Sequence, residues 1–188
     1  PRDVLDEEIE YILNHGVKVQ TGKPMQREDV LQLTLDFQAV FVATGQTGLV
    51  QGAKYGVAVD VLSSGFQTGE VEHEIVKAVE AEHPDIVVVE GQGALSHPAF
   101  TSSTAIIRGA RPRAIILQHP PKRKDRCDFP GIPMPSRESE IKLAEVISGA
   151  KVIALTLNHE DMTDKEIANA VVAYERRYGL PTMDVLKH

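Results

Sequence analysis

The segment Ile86-Val-Val-Val-Glu90-Gly91-Gln92-Gly93-Ala-Leu-Ser96-His97-Pro98 joins an apolar run to one acid and two glycines. A buried strand ending in an acid puts Glu90 where a metal or its water can sit. The bare amides of Gly91 and Gly93 behind it can receive an anion. The same residues also suit a tight turn in which Glu90 caps the next helix, and that turn needs no ligand. The ends of the other apolar runs offer further chemistry. Ala39–Ala43 leads into Gly45-Gln46-Thr47-Gly48, either a phosphate-binding turn or an ordinary one. Asp60, a second candidate metal ligand, and Asn158, a candidate ligand-binding amide, each stand at a run's end, where a ligand bond and a loop cap are both open. His97 and His119 are candidate bases, since imidazole titrates near neutral pH, although a loop histidine can equally be only solvated. His15, His73, His83 and His188 read as structural or exposed. Lys122, Arg123, Lys124 and Arg126 form a cluster that either grips a phosphate-bearing ligand or is a solvated charge run.

The elements that must carry these groups follow from hydrophobic spacing. Val4, Leu5, Ile9, Ile12 and Leu13 recur at helical intervals, with Asp3 before them and Gly16 after, which predicts a helix over 4–15. A short strand over 17–20 follows. The apolar runs 39–43, 57–61, 85–89, 113–117 and 152–157 read as strands buried on both faces, as in parallel sheets. Helical patterns separate or follow them at Val71, Ile75, Ala78 and Val79, at Ile141, Ala144 and Ile147, and at Ile167, Val171, Val172 and Tyr174. Thr163 with Glu166 forms a capping box, Gly149 and Gly179 are C-caps, and His83-Pro84 ends the first of these helices. Residues 119–136, with five prolines and no periodicity, read as a long irregular loop. Strands alternating with helices predict a three-layer α/β sandwich with a mainly parallel sheet, P-loop-NTPase- or Rossmann-like, and right-handed crossovers. In such sheets ligands bind beyond the carboxyl ends of the strands, where the candidate residues fall.

Composition narrows the function classes. The chain has 188 residues, 42% of them hydrophobic and 25% charged, which suits one globular domain spanning 1–188 and excludes disorder as the main state. A net charge of −7 argues against nucleic acid or an anionic membrane as partner. The lone cysteine, Cys127, forms no internal disulfide, no run is long enough to span a membrane, and the N-terminus does not read as a signal peptide; a reducing, cytoplasmic setting is expected. A small-molecule ligand is the expected partner, with homo-oligomerisation open.

One absence matters. A P-loop needs GxxxxGK[ST], and the nearest approach, Gly16 to Gly22-Lys23-Pro24, has its glycines one residue too far apart and a proline in place of the metal-binding hydroxyl. GxGxxG is also missing, because Ser96 stands where the third glycine would be.

Two stretches carry resemblances. FVATGQTG (41–48), GVAVDVLSSGF (56–66), DIVVVEGQGALSHPAF (85–100), the His119-Pro120 turn and GLPTMD (179–184) resemble the C-terminal P-loop-type domain of the family that includes the D-glutamate N-acetyltransferases. The VVEGQG strand is also similar to that of dethiobiotin synthetase, and by this resemblance Glu90 helps hold magnesium. DVLDEEIEYILNHGVKVQTGKPM (3–25) and DFQAVFVATG (36–45) resemble instead the NADPH/FAD module of the glutamate synthase small subunit. The two meet at VATG, so the chain reads as a chimera joined near residue 44, with 1–44 as a flavin-reductase-like opening and 45–188 as the acetyltransferase-like body. On that reading it is a folded domain with no complete ancestral active site. Any surviving activity would be acetyl transfer from acetyl-CoA to an acidic amino acid such as D-glutamate, with His97 or His119 as base. The alternatives are a weak nucleotide- or phosphate-binding protein, with a magnesium nucleotide as ligand, and a fragment of an NADPH/FAD oxidoreductase. FAD and NADPH themselves are not expected, since their glycine loops are missing.

Overall fold

The computed structural model describes residues 39–43 and 53–186. The chain divides into two compact units, Pro1–Gln38 and Ala39–His188, and all described residues belong to the second. The helix expected over 4–15, the strand over 17–20 and the Gly45–Gly48 turn lie outside the described residues.

Strand β1 (Ala39–Ala43) is followed by β2 (Tyr55–Gly56), a 3-10 turn (Val59–Val61) and helix α1 (Ser64–Glu82). Next come β3 (Ile86–Val89), α2 (Ser103–Ala110), β4 (Ala114–His119) and a short hairpin of β5 (Asp125–Arg126) and β6 (Phe129–Pro133). Helix α3 (Arg137–Ser148), β7 (Lys151–Leu157), α4 (Asp164–Tyr178) and β8 (Thr182–Met183) complete the order. The hydrogen-bonded strands form the sheets β2-β1-β3 and β4-β7-β8, both parallel, with the hairpin antiparallel. Parallel neighbours need long crossovers, and α3 lies in the one from β4 to β7 and α4 in the one from β7 to β8. The protein is therefore an α/β fold built on parallel strands.

Helix ends obey local rules. Ser136 accepts from the Ser139 amide, and Thr163 and Glu166 complete the capping box. Gly149 and Gly179 close α3 and α4 at φ 72° and 64°. His83 and Arg111 close α1 and α2 in the same left-handed region, at φ 49° and 45°, where a side chain costs about 1 kcal/mol. Each is followed by a proline, which cannot continue the helix.

One core gathers Ala144, Val152, Leu155, Leu157 and Tyr174, with Ile115 and Leu117 against them; a second gathers Val59, Val71 and Ile106, with Val89 against them. The strands were expected to be buried on both faces, but Ile86 and Ile116 are 60% and 62% exposed. In β3 and β4 the alternate residues, Val87, Val89, Ile115 and Leu117, lie among the packed side chains.

Three expectations need correction. The run 57–61 is not a strand: the pairing of β2 with β1 takes in only Tyr55 and Gly56, and the chain then turns, with the Val59 amide on the Val57 carbonyl at 3.0 Å and Gln67 Nε2 donating to the Val59 carbonyl at 2.9 Å. Asp60 thus stands on a 3-10 turn and not at a strand end. Residues 119–136 are not wholly irregular, because Asp125 Oδ2 accepts from the Gly131 amide at 3.0 Å and a hairpin forms there. Helix α2 and strand β8 were not anticipated.

Helices α1 and α2 meet at Gly109. A Cβ there would lie 2.6 Å from the Thr68 carbonyl oxygen and 2.8 Å from Val71 Cβ, so the helices would have to part. Gly109→Ala is expected to lower stability by about 1–3 kcal/mol, the usual range for overpacking. Denaturant unfolding measures it, and an unchanged midpoint would show that this contact yields without strain.

Candidate functional site

The turn after β3 is held from two sides. Gln92 Nε2 donates to Asp60 Oδ2 at 2.7 Å, and the Ser102 hydroxyl, 2% exposed, reaches Asp60 Oδ1 at 3.3 Å and also bonds Gln92 Oε1. Ser103 Oγ donates to the Gly93 carbonyl at 3.0 Å. The start of α2, the 3-10 turn and the glycine turn are therefore one network, with Asp60 as its acceptor. Gly93 itself is pressed by Phe100, whose ring lies 2.2 Å from where a Cβ would stand, so a side chain here would have to displace that ring. Glu90 is exposed just beyond β3.

Asp60 and Glu90 were the expected metal ligands. Among the described residues no three His, Cys, Asp or Glu side chains come together, and Asp60 Oδ2 already accepts a hydrogen bond from Gln92. These residues do not form a protein cage for a cation.

His97, 8% exposed, is a strut. The Ala99 amide donates to Nδ1 at 3.2 Å, so the ring proton sits on Nε2 and is donated to the Cys127 carbonyl at 3.1 Å. Phe100 and Phe129 pack on the ring, with centroids at 4.3 and 5.4 Å. Beside it Arg126 Nη2 donates to Ser96 Oγ at 2.9 Å, and Ser96 in turn bonds the buried Glu140 carboxylate.

His119 closes β4, and its carbonyl receives the Asn158 amide at 3.0 Å, tying the carboxyl ends of β4 and β7 together. Its Nδ1 lies 3.0 Å from the Tyr174 hydroxyl. Arg137 Nη1 donates to that same hydroxyl at 2.8 Å. Burial, then the positive charges of Arg137 and Arg123, push the His119 pKa down to about 4, and the ring is neutral at pH 7.

Asn158 is half-buried, and its side-chain oxygen accepts from the Glu160 amide at 3.2 Å, so here it acts as a turn cap. The basic cluster is largely engaged: Lys122 pairs with Glu166 at 2.8 Å and reaches the Asp161 carbonyl, while Arg123 pairs with Glu160. Lys122, together with the Thr163 amide and hydroxyl, holds the Glu166 carboxyl down to about 2.

One pair escaped the sequence reading. His159, directly after Asn158, places Nδ1 2.6 Å from Oδ2 of Asp184, a fully buried carboxylate whose other oxygen accepts from the Leu186 amide at 3.0 Å. The only sequence signals were that His159 follows the β7 run and that Asp184 ends GLPTMD, and 25 residues separate them.

Comparison with known proteins places this arrangement. Residues 9–188 match the domain of unknown function DUF1611_C, described as a P-loop domain. A D-glutamate N-acetyltransferase of Tritonibacter scottomollicae is 30% identical over 157 residues, which is 80% of this chain and 46% of that protein. Another from a Pseudoalteromonas species is 31% identical over 156 residues, 78% of this chain and 45% of its own length. The chain thus spans about half the length of the curated relatives it matches. The crystal structure of a DUF1611 family protein from Anabaena variabilis superposes with a TM-score of 0.74 at 28% identity, covering 84% of this chain and 47% of that one. The family match crosses residue 44 and takes in most of the opening that resembled a flavin-reductase module, so nothing in these comparisons supports a chimera joined there. With the fold, the glycine turn and the match over 9–188 in agreement, the chain belongs to the DUF1611 family, within its P-loop domain.

Proposed function

We propose that this chain is the P-loop-type part of an acyltransferase that moves an acetyl group from acetyl-CoA to the amine of an acidic amino acid, D-glutamate in the first instance. The observation that carries the reading is the Asp60–Gln92–Ser102 network, which fixes the Gly91–Gly93 turn before any ligand arrives. Acyl transfer from a thioester builds an oxyanion, and fixed donors stabilise it without reorganising during the reaction. The amides of Gly91 and Gly93 are assigned that task. Two relatives of the chain are named D-glutamate N-acetyltransferase, which supports an acetyl group and an acidic amino acid as the reacting partners.

The roles of the other candidates follow from their surroundings. His97 has both nitrogens engaged, and His119 shares Nδ1 with Tyr174, so both position loops at the rim. Residues 45–48 remain candidate contacts for the CoA phosphates.

Asp60→Ala and Gln92→Ala release the turn without touching the reacting atoms. Each is expected to lower N-acetyl-D-glutamate formation about 10–100-fold, the usual effect of removing a group that orients the reacting ones. Chromatographic quantitation of product measures it. Wild-type rates in both variants would remove the glycine turn from the mechanism.

A further inference from the structure

The pair His159–Asp184 stands where the proposed chemistry needs a proton carrier. Strands β7 and β8 run parallel, with Leu155 opposite Thr182 and Thr156 opposite Met183. His159 lies two residues beyond β7 and Asp184 directly beyond β8, so both project from the carboxyl ends of adjacent strands, where open α/β sheets place their ligands. Their exposures are opposite: the Asp184 side chain is 0% exposed and that of His159 is 28% exposed. A carboxylate is rarely buried without a task, and this one is fully satisfied, with the Leu186 amide on one oxygen and the imidazole on the other. An ionised carboxylate only accepts hydrogen bonds, so the proton of a neutral imidazole must sit on Nδ1. That leaves the Nε2 lone pair unprotonated. Asp184 is the only hydrogen-bond partner of the ring among the described residues.

We propose that His159 is the general base of acyl transfer and that Asp184 is its positioning residue, holding the imidazole in the Nδ1–H tautomer. The inference rests on the acyltransferase reading above. The acceptor ammonium first loses one proton to solvent. The amine nitrogen attacks the thioester carbonyl, forming the C–N bond, while His159 Nε2 accepts the nitrogen's second proton. The C–S bond breaks, and the imidazolium returns that proton to the leaving thiolate. The products are the N-acyl amino acid and the free thiol, with one proton released overall. His97 cannot offer the same service without first breaking a bond it already makes, and His119 is only 8% exposed.

The test uses the full 188-residue chain in two assays: acetyl transfer from acetyl-CoA to D-glutamate, and hydrolysis of p-nitrophenyl acetate, which needs no amino-acid site. His159→Gln, at a partly exposed position, is expected to keep the wild-type melt and lose about 100-fold or more of activity in both assays, within the usual contribution of a general base. Added imidazole should restore part of it. Asp184→Asn should lower kcat with little change in KM, because the tautomer and not the binding is lost. Should Asp184→Asn fail to fold, His159→Gln with imidazole rescue still decides. Loss of ester hydrolysis in His159→Gln, from a wild type that does not acetylate D-glutamate, would keep the base and remove the acceptor assignment. Wild-type rates in His159→Gln, or a wild-type protein no faster than free imidazole in both assays, would overturn the proposal.

Discussion

Expression of residues 45–188 alone is expected to give a product without a cooperative thermal transition. The reason is topological. β1 is the middle strand of its sheet, pairing Val42 and Ala43 with β2 on one side and Ala39 through Val42 with β3 on the other. Deleting residues 1–44 removes that strand and leaves β2, of two residues, and β3, of four, without a common partner. Two separated strands leave their ladder groups unpaired, and each unpaired buried backbone group costs about 1–3 kcal/mol. The sum is comparable to the roughly 5–15 kcal/mol by which a domain is stable. Circular dichroism during heating measures it. A sharp melt at the full-length temperature would mean that β1 is dispensable and that the core under α1 stands without it.

Between about pH 6.5 and pH 4, acidification acts on His119. The His119 pKa is about 4 in the folded protein, against the ordinary 6.5. Between these values the unfolded chain binds a proton that the folded one refuses, so unfolding is favoured as pH falls. The contribution is complete above about pH 6.5, declines through the window and is gone below about pH 4. A shift of that size corresponds to about 3 kcal/mol at most. Denaturant melts at pH 7, 5.5 and 4 should show the fall, and His119→Gln should flatten the profile in that window. An equal slope in wild type and variant would place the acid sensitivity elsewhere.

The features read most surely from sequence were those decided by neighbouring residues. The runs expected over 85–89, 113–117 and 152–157 are strands at Ile86–Val89, Ala114–His119 and Lys151–Leu157, because continuous β-branched and aliphatic runs leave few other options. Thr163 and Glu166, Gly149 and Gly179 ended helices where local hydrogen bonding required it. What escaped depends on distant partners. Val57 to Val61 has a strand's composition, but the pairing available to it stops at Gly56, and Gln67 from the next helix fastens the turn. Thr182 and Met183 form a strand only because β7 lies beside them. The candidate site divides in the same way. The Glu90–Gly93 turn announces itself by adjacent residues, while the partners that fix it, Asp60 and Ser102, lie 32 and 10 residues from Gln92. His159 looked like any loop histidine because Asp184, its buried partner, is supplied by another strand.

These contacts bear on function only if the rim performs chemistry. The decisive measurement incubates the purified 188-residue chain with acetyl-CoA and D-glutamate, and follows both free thiol and N-acetylglutamate. The account predicts D-glutamate-dependent thiol release matched one for one by N-acetyl-D-glutamate, and weakened in Gln92→Ala. No product above the protein-free rate, from a preparation that melts cooperatively, would contradict it.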